Sequence, residues 1–168
     1  MKAAILGNGP SRLKYFDNKI KYDIIAGCNV PWVNVDWTVV LDEEVVQKWA
    51  REPDLITVPT YFSRHAWAET DVVKQRNYFK QFLIEIVIPG KTYDTSGHVA
   101  SRILIKNGCT EIDLYGFDSW FEDTIESVSH TMFKNHPSEN SSHHIKGWRN
   151  KWNEIMNNNP EVKLNFIK

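Results

Sequence analysis

Cysteine is scarce in this sequence: Cys28 and Cys109 are the only two in 168 residues. That excludes a disulfide framework or a four-cysteine zinc site, and it suits reduced thiols in a cytoplasmic core. An excess of one charge is also missing, since 20 Lys and Arg stand against 21 Asp and Glu, for a net charge of -1. Without a basic field or a local Lys/Arg cluster of that kind, nucleic acid is not an expected partner. No apolar run approaches the roughly 18 residues of a membrane span. The opening "MKAAILGNGPS" breaks into a loop after a few apolar residues and so does not read as a secretory leader. A soluble, cytoplasmic protein is the expectation. Internal repeats and low-complexity linkers are lacking as well, and residues 1–168 read as a single domain.

Aromatic residues are plentiful, with seven Trp, six Tyr and eight Phe. Several of the tryptophans lie in polar contexts, which fits a surface that stacks on something flat. Apolar runs that close on Gly, Cys, Asp or Pro read as buried strands: 2–6, 22–29, 36–42, 54–59, 84–89 and 110–118, with 162–167 as an edge strand. Helical patterns fall between them at 43–52, 70–83, 96–108 and 143–159. Strands alternating with helices predict an α/β, Rossmann-like domain with a mostly parallel central sheet flanked by helices. A long polar stretch at about 117–142 reads as a lid-like loop.

In such sheets the ligand lies beyond the carboxyl ends of the strands. The first strand ends at Gly7, Asn8, Gly9, Pro10 and Ser11, the second at Cys28 and Asn29, the third at Asp42. The loop "GNGPS" lacks the Gly-Lys-Ser/Thr of a P-loop and has Arg12 where the dinucleotide fingerprint needs a third glycine. It keeps the physics beneath both motifs: glycines permit close backbone approach, and Pro10 fits the first position of a helix whose N–H groups face an anion. "DTSG" repeats the device with Thr95, Ser96 and Gly97, although as a plain helix cap it needs no ligand. With Asn29, Asp42 and the "GFD" of Gly116, Phe117 and Asp118, these residues suggest a nucleotide cradle. Four of the six histidines, His130, His136, His143 and His144, cluster late in the chain. They are candidates for a general base. A zinc site is disfavoured because no HExxH or cysteine pair accompanies them. His65 and His98 read as structural.

The segments "AILGNGPSRLKYFD", "DIIAGCN", "DTSGHVASRILIKNGCTEIDLYGFDSW" and "SSHHIKGW" together resemble the bacterial sialyltransferases that use CMP-activated sialic acid. The likeness covers both ends of the chain and is poor over residues 43 to 92. It implies a single Rossmann-like nucleotide domain with a mobile lid, and direct displacement with inversion at the anomeric carbon. No metal or cofactor is implied, the CMP-sugar being the donor substrate, and the acceptor is the hydroxyl of a glycan or other molecule. By position, Gly7, Asn8, Gly9 and Ser11 would surround the phosphate and ribose. Asn29 and Asp42 would face the nucleotide or donor sugar, Thr95, Ser96 and Gly97 the donor, and Gly116, Phe117 and Asp118 the cytidine. His144 or His143 would deprotonate the acceptor. The family's lid tyrosines have no counterpart, because tyrosine is absent after Tyr115; Trp120 stands at one of those places and offers a single N–H donor. Two further readings stay open: a non-catalytic binder of a nucleotide or nucleotide-sugar, and a Rossmann-like nucleotide pyrophosphokinase. Either is compatible with an oligomer.

Overall fold

Seven short strands, most of them rich in apolar residues, line up in one parallel sheet. The computed structural model describes residues 1–90, 94–123 and 142–168. The strands are β1 (Lys2–Leu6), β2 (Ile24–Cys28), β3 (Trp37–Val40), β4 (Thr60–Ser63), β5 (Leu83–Val87), β6 (Glu111–Tyr115) and β7 (Lys163–Ile167). They are ordered β5-β4-β3-β2-β1-β6-β7, every neighbouring pair parallel. The helices are α1 (Glu43–Arg51), α2 (Arg64–Val72), α3 (Arg76–Lys80), α4 (Ser96–Lys106) and α5 (Ser142–Asn158). This is the expected Rossmann-like α/β arrangement. From β1 to β5 the chain steps outward in one direction; from β5 it returns to add β6 on the far side of β1. The strand order therefore reverses between β1 and β6, the place where α/β sheets open a ligand crevice.

Side-chain alternation along β1 shows how both faces are covered. Ala3 and Ile5 join Val39, Ile112 and Leu114 under α4 and α5, in a core that includes Leu104, Trp152 and Ile155. Ala4 and Leu6 point the other way, with Tyr115, against Tyr15, Tyr22 and Trp32. Farther along that face, Val45, Val46 and Trp49 of α1 pack on Val40 and Phe62 with Phe79. Trp49 lies 4.9 Å from the ring of Phe79 and is fully buried. Burying such a side chain stabilises the fold by roughly 1.5–3 kcal/mol. Among the described residues no helix is long and apolar enough to cross a membrane.

Three local expectations need correction. The fourth strand is not 54–59 but Thr60–Ser63, beyond Pro59: residues 53–55 form a 3-10 turn, and pairing to β3 runs from Thr60 to Phe62. The helical pattern at 70–83 is divided. α2 begins at Arg64, where Ser63 Oγ accepts from Ala66 N at 3.0 Å, and it ends before Lys74, whose φ of 57° breaks the helix. Leu83 belongs to β5. Lastly, the helix after "GNG" is a 3-10 helix, Pro10–Tyr15, too short to carry a substantial dipole.

Candidate functional site

The loops that follow β1 and β6 close on one another at the reversal point. Gly7 N donates to Tyr115 O at 2.7 Å and Gly9 N to Gly116 O at 2.9 Å, prolonging the β1–β6 ladder past both strand ends. A Cβ on Gly9 would lie 2.7 Å from Gly116 O, and Gly116 itself has φ 78°, so glycine is needed on both sides of the contact. Ser11 fastens the clasp. Its N–H donates to Asp118 Oδ2 at 3.1 Å and its hydroxyl to the same oxygen at 3.0 Å, while Gly116 N donates to Ser11 Oγ at 3.1 Å. The start of the 3-10 helix thus already faces a negative charge, the carboxylate of Asp118.

Beside the clasp, a line of polar side chains crosses the carboxyl ends of the next strands. Asn8 Nδ2 donates to Cys28 O at 3.2 Å. Asn29, one residue past β2, has the left-handed φ of 57° that Asn tolerates better than most residues. That backbone turn aims its amide at two elements at once: Nδ2 donates to Asp42 Oδ2 at 3.3 Å, and Oδ1 accepts from Ser96 Oγ at 3.2 Å. Thr38 Oγ1 holds the turn by donating to Asn29 O at 2.9 Å. Asn8, Asn29, Asp42 and Ser96 are therefore brought to one edge of the sheet, next to the loop clasp.

At the start of α4, Thr95 N donates to His98 Nδ1 at 3.0 Å, and His98 Nε2 donates to Trp148 O of α5 at 3.2 Å. With Nδ1 accepting, His98 is the neutral Nε2–H tautomer. Burial pushes its pKa down to about 4, against the pull of nearby Asp94. His98 is a structural link between two helices, which agrees with its reading from the sequence. Gly97 sits against the Phe117 ring, where a Cβ would approach Cζ to 2.7 Å. That ring meets Trp152 edge-on at 5.4 Å. Gly97 and Phe117 thus join the "TSG" turn to the "GFD" turn by packing.

Trp120 stacks on Phe166 of β7 at 4.3 Å, nearly parallel to it. Arg149 of α5 anchors the same loop: Nε donates to Ser119 O at 2.8 Å, Nη2 to Glu122 O at 2.8 Å, and Nη1 pairs with Asp123 at 2.9 Å. His144 lies in the first turn of α5, exposed and 6.3 Å from the Trp148 ring. Both α4 and α5 begin at the carboxyl edge of the sheet, so His144 lies at the same end of the molecule as Ser96. His143 shares that turn, but its side chain is outside the described residues, as are His130, His136 and residues 124–141 of the expected lid. No group of three or more His, Cys, Asp or Glu close enough to hold a metal ion occurs among the described residues.

The chain matches no family model, no curated protein and no solved structure.

Two contributors to this region were missed in the sequence. Trp32 Nε1 donates to Gly7 O at 3.2 Å, bracing the first loop from a segment without regular structure. Arg149 was hidden within a helical pattern; the only signal was a cation one residue after the buried-side Trp148. The Ser11–Asp118 contact spans 107 positions and leaves no local trace in the sequence.

Proposed function

We propose that the chain binds a CMP-activated sugar at the carboxyl ends of β1, β2, β3 and β6 and transfers the sugar to an acceptor hydroxyl with inversion. The observation that carries this reading is the Asn29 turn. It sets Asp42 and Ser96 on one amide beside the point where the strand order reverses, which is where a nucleotide is held in sheets of this class. The choice of cytidine and of a sugar donor rests on the resemblance of "GNGPS", "TSG" and "GFD" to the CMP-sialic-acid-dependent enzymes.

In this reading His144, or His143 beside it, accepts the acceptor's proton as its oxygen bonds to the anomeric carbon. The bond from that carbon to the phosphate oxygen breaks, and CMP leaves with the electron pair. Amide and hydroxyl groups of Asn8, Asn29 and Ser96 orient the donor; no metal is required. The lack of tyrosine after Tyr115 favours a second reading, a nucleotide-sugar binder without turnover.

Thermal-shift titration with CMP, CDP, UDP, ATP and GDP tests the first claim, and a preference for any base other than cytosine overturns it. If CMP binds, His144→Ala is expected to lower hydrolysis of the CMP-sugar sharply while leaving CMP affinity unchanged. CMP binding with no donor hydrolysis by the parent chain selects the non-catalytic reading, and a need for a divalent cation would point to a pyrophosphokinase.

A further inference from the structure

The 3-10 helix after the first loop carries a largely exposed apolar ridge, of which Phe16 meets the Trp32 ring at 5.4 Å. At three residues per turn, positions i, i+3 and i+6 eclipse one another, and here they are Pro10, Leu13 and Phe16, all exposed. Leu13 is 59% exposed and Phe16 64%, and Ile20 just beyond is 46% exposed. Tyr15, on the other side of the same helix, packs edge-on against Tyr115 at 5.5 Å, so the ridge is the outer face of a seated element rather than a loose end. Arg12, Lys14, Lys19 and Lys21 alternate with these apolar residues, against one acidic residue, Asp17, within the segment. The three lysines are exposed, and Arg12 lies over the Trp32 ring at 5.2 Å. Contrary to the expectation of no local Lys/Arg cluster, a chain with net charge -1 therefore gathers positive charge where it also exposes large apolar side chains.

The shape and charge of the patch select its occupant. The cations around Leu13 and Phe16 favour a partner that carries negative charge. A second copy would set Lys14, Lys19 and Lys21 against the same cations. A fluid surface adapts to a ridge, takes Leu and Phe side chains at the depth of its headgroups, and attracts lysines when it carries anionic lipid. We infer that Pro10, Leu13, Phe16 and Ile20, with Lys14, Lys19 and Lys21, form a peripheral docking surface for an anionic lipid bilayer. This does not depend on the nucleotide reading, because the ridge faces outward and its residues take no part in the proposed chemistry.

Flotation of the full chain with vesicles tests it. Binding is expected to vesicles of phosphatidylcholine mixed with phosphatidylglycerol, to weaken as salt is raised, and to be weak or undetectable on phosphatidylcholine alone. Leu13→Ser with Phe16→Ser should weaken binding more than tenfold, and Lys14→Glu with Lys19→Glu and Lys21→Glu roughly a hundredfold or more. All five side chains are exposed, although Phe16 also meets the Trp32 ring edge-on at 5.4 Å, so thermal melting is measured alongside and the lysine variant should keep the parent's. Three results overturn the inference: no binding to anionic vesicles, binding that neither variant alters, and poly-glutamate competing as well as the vesicles, which would make the surface a docking site for acidic protein.

Discussion

Ser11 donates both its backbone N–H and its hydroxyl to Asp118 Oδ2, at 3.1 and 3.0 Å, and so joins the loop after β1 to the loop after β6. Each group is half-buried, so loss of either partner leaves the other poorly solvated. Ser11→Ala and Asp118→Ala should each destabilise the fold by about 1–3 kcal/mol in urea unfolding. The double variant should cost clearly less than the sum, because both changes break one contact. Strict additivity would show that the clasp contributes nothing.

The turn at Asn29 separates a backbone role from a side-chain role. Asn29→Gly keeps the left-handed backbone at φ 57° and deletes the links to Asp42 and Ser96. Its stability is expected to fall modestly while CMP affinity, if the proposed function holds, drops at least tenfold. Asn29→Ala adds backbone strain of about 1 kcal/mol. Equal CMP affinity in parent and Asn29→Gly, by calorimetry, would remove Asn29 from the site.

Gly97 has no room for a methyl group beside Phe117. Overpacking of that kind costs about 1–3 kcal/mol, and Gly97→Ala should lower the melting temperature accordingly. Combination with Phe117→Leu should recover part of the loss. A Gly97→Ala protein as stable as the parent would mean that the ring moves aside freely.

Protonation of His98 gives the fold a pH limit. In the unfolded chain the imidazole takes a proton near pH 6.5; in the folded protein burial delays that to about 4. Below 6.5 the unfolded state therefore binds the proton first. This contribution to stability is complete above pH 6.5 and is lost as the pH falls towards 4, by roughly 3 kcal/mol in all. Imidazole signals assigned with a His98→Gln variant should show no titration above pH 5 in the native protein. A midpoint near 6.5 would contradict the buried tautomer.

Both thiols are buried, and burial pushes Cys28 up to about 12 and raises Cys109. A disulfide exchange reagent at pH 8 should find neither in the native protein and both after denaturation. Rapid labelling of the native protein would show that β2, or the turn ahead of β6, opens.

The α/β class is readable from composition and order alone, because parallel strands buried on both faces leave apolar runs that stop at Gly7, Asn29 and Gly116. The same rule locates the residues at the strand ends and hence the candidate crevice. It fails at 54–59, where Pro59 looks like a strand terminator yet stands just ahead of a strand of only four residues. At 70–83, Phe79 and Leu83 keep a helical spacing although a left-handed Lys74 precedes them and a strand begins at Leu83. What holds the site together is remote pairing: Ser11 with Asp118, Trp32 with Gly7, Gly97 with Phe117. Such contacts are set by the packed sheet rather than by neighbours in the chain.

The pairing of Lys2 with Glu111, across more than a hundred residues, also fixes when the crevice can exist. Until β6 has been synthesised, β1 is an apolar strand with one bare edge, and Ser11 has no Asp118 to hold. An N-terminal fragment that stops short of Glu111 would carry that sticky edge into solution, a hazard for a chain emerging slowly from the ribosome. Closure of the β1–β6 end of the sheet thus depends on contacts of long sequence separation, which form slowly.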